Sequence, residues 1–191
     1  MIRAAVLAVL AVLLVGCGSA ASAPEPGGGG VAVGKAAPAW ELDWMGAPPI
    51  AVKDLRGSVV LVRWFTEGCS LCSSSAPTLV ALHDELGAKG LRVIGVYHHK
   101  SPEPLEVANV RALAAELGFK FPIAIDRDWK TLKAWWLDGG AKRFTSVSFV
   151  IDRRGAVRYI HEGGAYAPKS KDAAELRRWI DRLLREDGAQ R

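Results

Sequence analysis

Little in this chain can hold a metal. Its 191 residues contain three cysteines and four histidines. Only Cys69 and Cys72 form a close pair, and a tetrahedral zinc site would need a second pair of ligands that no other C-x-x-C supplies. Ser73, not histidine, follows Cys72, which excludes c-type haem attachment. Charge of one sign is also scarce, at a net +5. The basic residues are scattered, with Arg153-Arg154 at a turn and Arg177-Arg178 on a helix, so they read as solvated faces and no nucleic-acid partner is expected. Ser73-Ser74-Ser75 lacks the partner pattern of a serine nucleophile. No apolar run, the stretch from Ala4 to Val15 included, is long enough to cross a bilayer as a stable anchor, and there is no internal repeat.

What is present is a C-x-x-C placed between a strand pattern and a helix pattern. Val59 to Phe65 is an almost continuous apolar run, as a strand buried on both faces requires. Glu67-Gly68-Cys69-Ser70-Leu71-Cys72 follows, then a segment with helical spacing at Leu79, Leu82 and Leu86. Cys69 is expected at or just before the first helical turn, where unpaired N–H groups favour a thiolate. Cys72 falls on the same helical face and is expected to be less exposed. In this setting the pair reads as redox-active. Pro77 is expected to kink the helix, and Gly87 and Gly90 to end it.

Further elements follow from periodicity. Strands are expected at Trp40–Trp44, Ile50–Val52, Leu91–Tyr97, Phe121–Asp126, Thr145–Asp152 and Ala156–His161. Helices are expected from Pro104 to Leu117, from Trp129 to Leu137 and from Asp172 to Arg185. Strand, helix and strand around the cysteines make a right-handed parallel unit, so the fold class is α/β with a central mixed sheet flanked by helices. Glu67 is either a solvated loop carboxylate or a group acting on the cysteines, by raising the pKa of Cys69 or by accepting a proton from Cys72. His98 and His99 follow a strand at the sheet edge where the cysteines lie. His83 is expected on a helix surface and His161 near a strand end, and Trp129, Trp135 and Trp136 in packing.

The N-terminus has a different character. Arg3 precedes an apolar stretch from Ala4 to Val15, which reads as a targeting segment rather than as fold. Leu14-Val15-Gly16-Cys17 resembles a bacterial lipobox, which implies a signal peptide over residues 1–16 and acylation of Cys17. Residues 17–33, rich in Gly, Pro and Ala, read as a flexible tether, and residues 34–187 as the domain. The expected location is periplasmic, lipid-anchored to a bacterial membrane, where a disulfide can persist.

Several motifs together resemble the TlpA/ResA-like family of membrane-tethered, thioredoxin-fold disulfide reductases. They are Gly34-Lys35-Ala36-Ala37-Pro38-Ala39-Trp40, Leu55-Arg56-Gly57, Cys69-x-x-Cys72 with Pro77 five residues on, and Ser148 to Gly155. The stretch from Pro104 to Ile125 is similar to the insertion these proteins share with peroxiredoxins. The resemblance implies a thioredoxin-like domain without cofactor or metal. Cys69 would be the nucleophile, Cys72 the resolving cysteine, and the two a redox-active disulfide. Partners would be protein thiols and disulfides and an upstream membrane electron donor, and the protein would be a monomer. The chain departs from the family at Gly68, where tryptophan is usual, at Ser75, where an acidic residue is frequent, and at Ser146, where a cis-proline faces the disulfide. Thr145 and Ser146 are therefore auxiliary candidates, with Glu67, and the Thr145–Ser146 bond is expected to be trans because a cis bond without proline costs about 3 kcal/mol. Two alternatives stand. Phe65-Thr66-x-x-Cys69 matches the end of the peroxiredoxin cysteine motif, implying a thiol peroxidase, although Val62 replaces that motif's proline. A copper- or metal-handling module would use Cys69, Cys72 and His98 or His99.

Overall fold

The computed structural model describes residues 30–46 and 48–186, so the targeting segment, Cys17 and most of the tether lie outside the described residues. The organising strand is β2, Val59–Phe65, in which every residue is buried. Its apolar run suits a strand covered on both faces. Parallel to it lies β3, Leu91–Tyr97, in register from Val59↔Leu91 to Phe65↔Tyr97. Between them runs α1, Ser70–Leu86, a single helix through Pro77. Gly90 then adopts φ +102°, a left-handed turn that glycine takes without strain.

The remaining strands are β1 (Asp43–Trp44), β4 (Ile123–Ile125), β5 (Ser148–Ile151) and β6 (Val157–His161). They complete a six-stranded sheet in the order β1-β4-β3-β2-β5-β6, with β4 parallel to β3 and the β1, β5 and β6 pairings antiparallel. Three further helices are α2 (Val107–Glu116), α3 (Lys130–Trp135) and α4 (Lys171–Glu186).

Alternation along β2 splits the interior in two. Val59, Leu61 and Phe65 pack with Leu79, Leu82 and Cys72 of α1, Val110 of α2, and Leu176 and Ile180 of α4. Val60, Val62 and Trp64 pack on the other face with Leu132, Trp135 and Trp136 and with Phe149. The tryptophans expected in packing are there: Trp135 stacks on Trp40 at 5.7 Å and tilts against Trp64 at 5.7 Å.

Four expectations need correction. Of Trp40–Trp44 only the last two residues pair as strand, because Trp40 turns its ring to Trp135 and bonds its indole N–H to the Ile50 carbonyl at 2.7 Å. Ile50–Val52 is not a strand: the chain enters a 3₁₀ turn at Val52–Leu55. The Asp54 carboxylate accepts the Ala51 N–H at 2.9 Å and stabilises that turn. The helix expected from Pro104 begins only at Val107. His83 is half-buried, edge-on to Phe121 at 5.5 Å.

At the end of the expected tether, Gly30 and Val31 are docked. The Val31 N–H bonds the Trp135 carbonyl at 2.7 Å. A Cβ on Gly30 would lie 2.9 Å from the same oxygen.

Candidate active site

The site is built on the parallel pair β2 and β3, whose C-terminal ends lie side by side at Phe65↔Tyr97. The loop leaving β2 passes through Gly68 at φ +62°, a conformation that favours glycine. Cys69 is then the N-cap of α1, where its sulfur accepts the Cys72 N–H at 3.1 Å. Cys69 and Cys72 are joined as a disulfide, S–S 2.13 Å. The two sulfurs differ in access: Cys69 is half-buried, whereas Cys72 is 3% exposed and belongs to the core. The helix N-terminus and the donated N–H are the features that lower a cysteine pKa in the dithiol state.

A cleft of about 290 Å³ opens beside Cys69. One wall is the Thr66–Leu71 loop, and the other is Arg143, Phe144, Thr145 and Ser146, with Lys100 at its side. Thr145 and Ser146 line this cleft with Cys69, and no described peptide bond is cis, as expected of the Thr145–Ser146 bond. Thr145 is held from behind by His98, whose Nε2 lies 2.9 Å from the hydroxyl. His98 itself is fully buried, edge-on to Trp129 at 5.1 Å. Burial, followed by the nearby Lys100 charge, brings its pKa down to about 3, so it is a neutral imidazole at ordinary pH. His99 turns the other way, 2.9 Å from the Tyr97 hydroxyl and 2.6 Å from the Glu103 carbonyl. The two histidines separate as neighbours in an extended chain must. No group of three or more His, Cys, Asp or Glu side chains able to hold a metal occurs among the described residues.

Glu67 is a partly exposed carboxylate with both oxygens engaged. Its Oε2 accepts the Tyr97 hydroxyl and the Thr66 hydroxyl, the latter at 2.7 Å, and its Oε1 accepts the N–H groups of Lys100 at 2.9 Å and Ser101 at 2.5 Å. Partial burial works against the carboxylate, but hydrogen bonds from Tyr97, Thr66 and the backbone outweigh it and hold the pKa at about 2. Tyr97 responds oppositely: burial and the adjacent carboxylate push its phenol well above the usual range. Glu67 is thus a clamp tying the cysteine loop to the segment after β3. Thr66, the counterpart of the peroxiredoxin threonine, donates its proton to this clamp rather than to the cysteine.

Sequence reasoning missed Tyr97, Arg63, Lys100 and Arg143. Tyr97 could be found only from the register of β3 against β2. Arg63 had a signal, as the one charge inside an apolar run. It is 1% exposed and has no carboxylate partner among the described residues. Its guanidinium donates to the Ser148 hydroxyl at 3.3 Å and the Gly164 carbonyl at 3.0 Å, and lies 4.8 Å from the Tyr166 ring centre. Lys100 and Arg143 come together at the cleft from opposite ends of the sheet's connectivity.

The AhpC/TSA family profile matches residues 33–160, the greater part of the chain. The chain belongs to the AhpC/TSA family. Its fold is that of the TlpA/ResA-like, thioredoxin-fold members of the family. Among relatives, the protein DipZ of Mycobacterium bovis is 33% identical over 123 residues, which cover 63% of this chain and 17% of DipZ. The thiol-disulfide oxidoreductase ResA of Geobacillus thermodenitrificans is 29% identical over 133 residues, covering 70% of this chain and 71% of ResA. The chain therefore spans less than a fifth of the DipZ length but most of that of ResA. A structure described as thiol:disulfide interchange protein DsbE from Chlorobium tepidum superposes with a TM-score of 0.66 at 25% identity, covering 81% of this chain and 99% of the other.

Proposed function

We propose that the protein is an extracytoplasmic thiol–disulfide oxidoreductase, tethered to a membrane by a lipid on Cys17 and running as a reductase. The observation that carries this reading is the unequal pair at the start of α1: Cys69 half-exposed at a cleft, Cys72 buried and disulfide-linked to it. In the reduced state the Cys69 thiolate attacks one sulfur of a partner disulfide. The other partner sulfur leaves as a thiolate and takes up a proton. Cys72, as thiolate, then attacks the Cys69 sulfur and displaces the second partner thiol. The partner gains two electrons and the protein ends as the Cys69–Cys72 disulfide, to be reduced again by a membrane electron donor. Relatives named thiol-disulfide oxidoreductase support the class of chemistry. The donation of the Thr66 hydroxyl to Glu67 argues against a peroxidase, whose threonine should serve the reacting sulfur.

The test is the reduction potential of Cys69–Cys72 by equilibration with glutathione. A value near that of thioredoxin, about −270 mV, is expected of a reductase. A value near −120 mV, that of a strong periplasmic oxidant, would reverse the direction of flow. In Cys72→Ala the mixed disulfide on Cys69 should accumulate with a model disulfide. Its absence while Cys69 alkylates normally would remove Cys72 from the resolving role.

A further inference from the structure

Some cations of this molecule are held in ion pairs, and the two at the cleft are not. Arg127 is paired with Asp43 at 3.0 Å, Lys130 with Glu41, Arg158 with Asp152 at 3.1 Å and with Glu186 at 3.0 Å, and Arg177 with Glu85 at 2.6 Å and Asp181 at 3.0 Å. Lys100 and Arg143, which line the cleft beside Cys69, have no carboxylate within ion-pair distance among the described residues. Each lies instead over a ring: the Lys100 ammonium 5.9 Å from the Trp129 centre, the Arg143 guanidinium 5.4 Å from that of Phe144. Such a contact orients a cation without neutralising it. Lys142 repeats the arrangement next door, 4.0 Å over Trp136.

Two carboxylates lie near enough to matter. Glu67 lines the same cleft, but two hydroxyls and two backbone N–H groups already take up its oxygens. Glu162 lines an adjoining groove with Lys142 and Arg143 and makes no ion pair with either among the described residues. An entering chain therefore meets two exposed positive charges beside Cys69 that are ion-paired neither with Glu67, which is turned to its own hydroxyl and backbone donors, nor with Glu162.

We propose that Lys100 and Arg143 select the partner, favouring protein disulfides whose cysteine is flanked by aspartate or glutamate. This rests on the oxidoreductase reading and adds the substrate class to it. Charges of opposite sign across an interface raise the encounter rate and reject like-charged partners, and between exposed charges this effect weakens as salt rises.

The test uses the dithiol form of the protein and three symmetric peptide disulfides that differ only in the residues beside the cysteine, Asp, Ser or Lys. 2,2′-Dithiodipyridine serves as a small uncharged disulfide, and product thiol is followed after acid quench. At low salt the Asp peptide should be reduced about ten-fold faster than the Lys peptide. The ratio should fall toward one in high salt, and the order should invert in a Lys100→Glu/Arg143→Glu double variant. Equal rates for the three peptides at low salt, with all of them reduced, would overturn the charge selection and leave disulfide exchange standing. Failure to react with every disulfide, the uncharged one included, would overturn the oxidoreductase reading beneath it. Should the double variant not fold, the wild-type salt series decides: a ratio above one that does not change with salt would also refute the proposal.

Discussion

Arg63 and Glu67 stand four residues apart, one inside β2 and the other just beyond it, and the fold treats their charges in opposite ways. Glu67 is surrounded by donors. Four hydrogen bonds hold its carboxylate charged down to a pH of about 2, against the pull of burial. Arg63 is surrounded by neutral acceptors and a ring. Burial pushes its pKa below the usual value, with Tyr166 acting the other way, yet a guanidinium keeps its proton. The anion sits where the sheet ends and the backbone of the neighbouring loop is free to donate. The cation sits where every backbone group is already in a ladder, so only a hydroxyl, a loop carbonyl and an aromatic face remain. The charge at the strand end recruits N–H groups of the adjoining loop, whereas the charge within the strand is met by a hydroxyl, the carbonyl of a distant loop and an aromatic face.

That contrast can be broken most severely at Arg63. Truncation in Arg63→Ala empties a buried site and strands the acceptors around it, and should cost about 3 kcal/mol in urea unfolding. Arg63→Met keeps much of the volume without a buried charge and should cost distinctly less, under about 1.5 kcal/mol. If the two variants were equally unstable, packing rather than charge would be irrelevant at this position, and the account of Arg63 would fail.

The Glu67 half of the contrast is sharpened by Glu67→Gln, which preserves shape but faces N–H donors with an amide. A loss of about 1–2 kcal/mol is expected. The signature is in the pH profile. A carboxylate whose pKa falls from 4.5 to about 2 on folding contributes stability that is fully present above pH 4.5 and is lost as pH drops toward 2. Glu67→Gln should lack that part of the acid loss. An identical acid limb in both proteins would show that the clamp does not form in solution.

The smallest expected effect at neutral pH lies at His98, which is mostly uncharged there in both folded and unfolded chains. Its folded pKa of about 3 lies below its ordinary 6.5. The unfolded chain therefore takes up a proton first, and stability declines as pH falls from 6.5 toward 3. His98→Gln retains a polar partner for Thr145 and should flatten this earlier part of the profile, leaving the Glu67 portion intact. Unfolding midpoints measured across pH 7 to 3 check it.

Much of the frame was legible from residue order alone. The apolar run of β2, the cysteine spacing and the period of α4 each carry a local signal, and buried Cys72 against half-exposed Cys69 follows from the helical start. What was not legible depends on register. Glu67 looks like a loop carboxylate until Phe65↔Tyr97 pairing brings Tyr97, Lys100 and Ser101 to it. Ile50–Val52 has strand composition, yet one carboxylate, Asp54, turns it into a 3₁₀ segment. Lys100 and Arg143 meet only because β3 and β5 flank the same strand.

Cys72 is closed off from solvent, and this has a kinetic meaning. If only one sulfur of the pair has an open face, electrons enter and leave through the same port. A reductant and an oxidant then cannot be engaged together, and one must depart before the other arrives. Turnover with two substrates should therefore be ping-pong, giving parallel double-reciprocal lines, and either substrate in excess should inhibit by occupying the port out of turn.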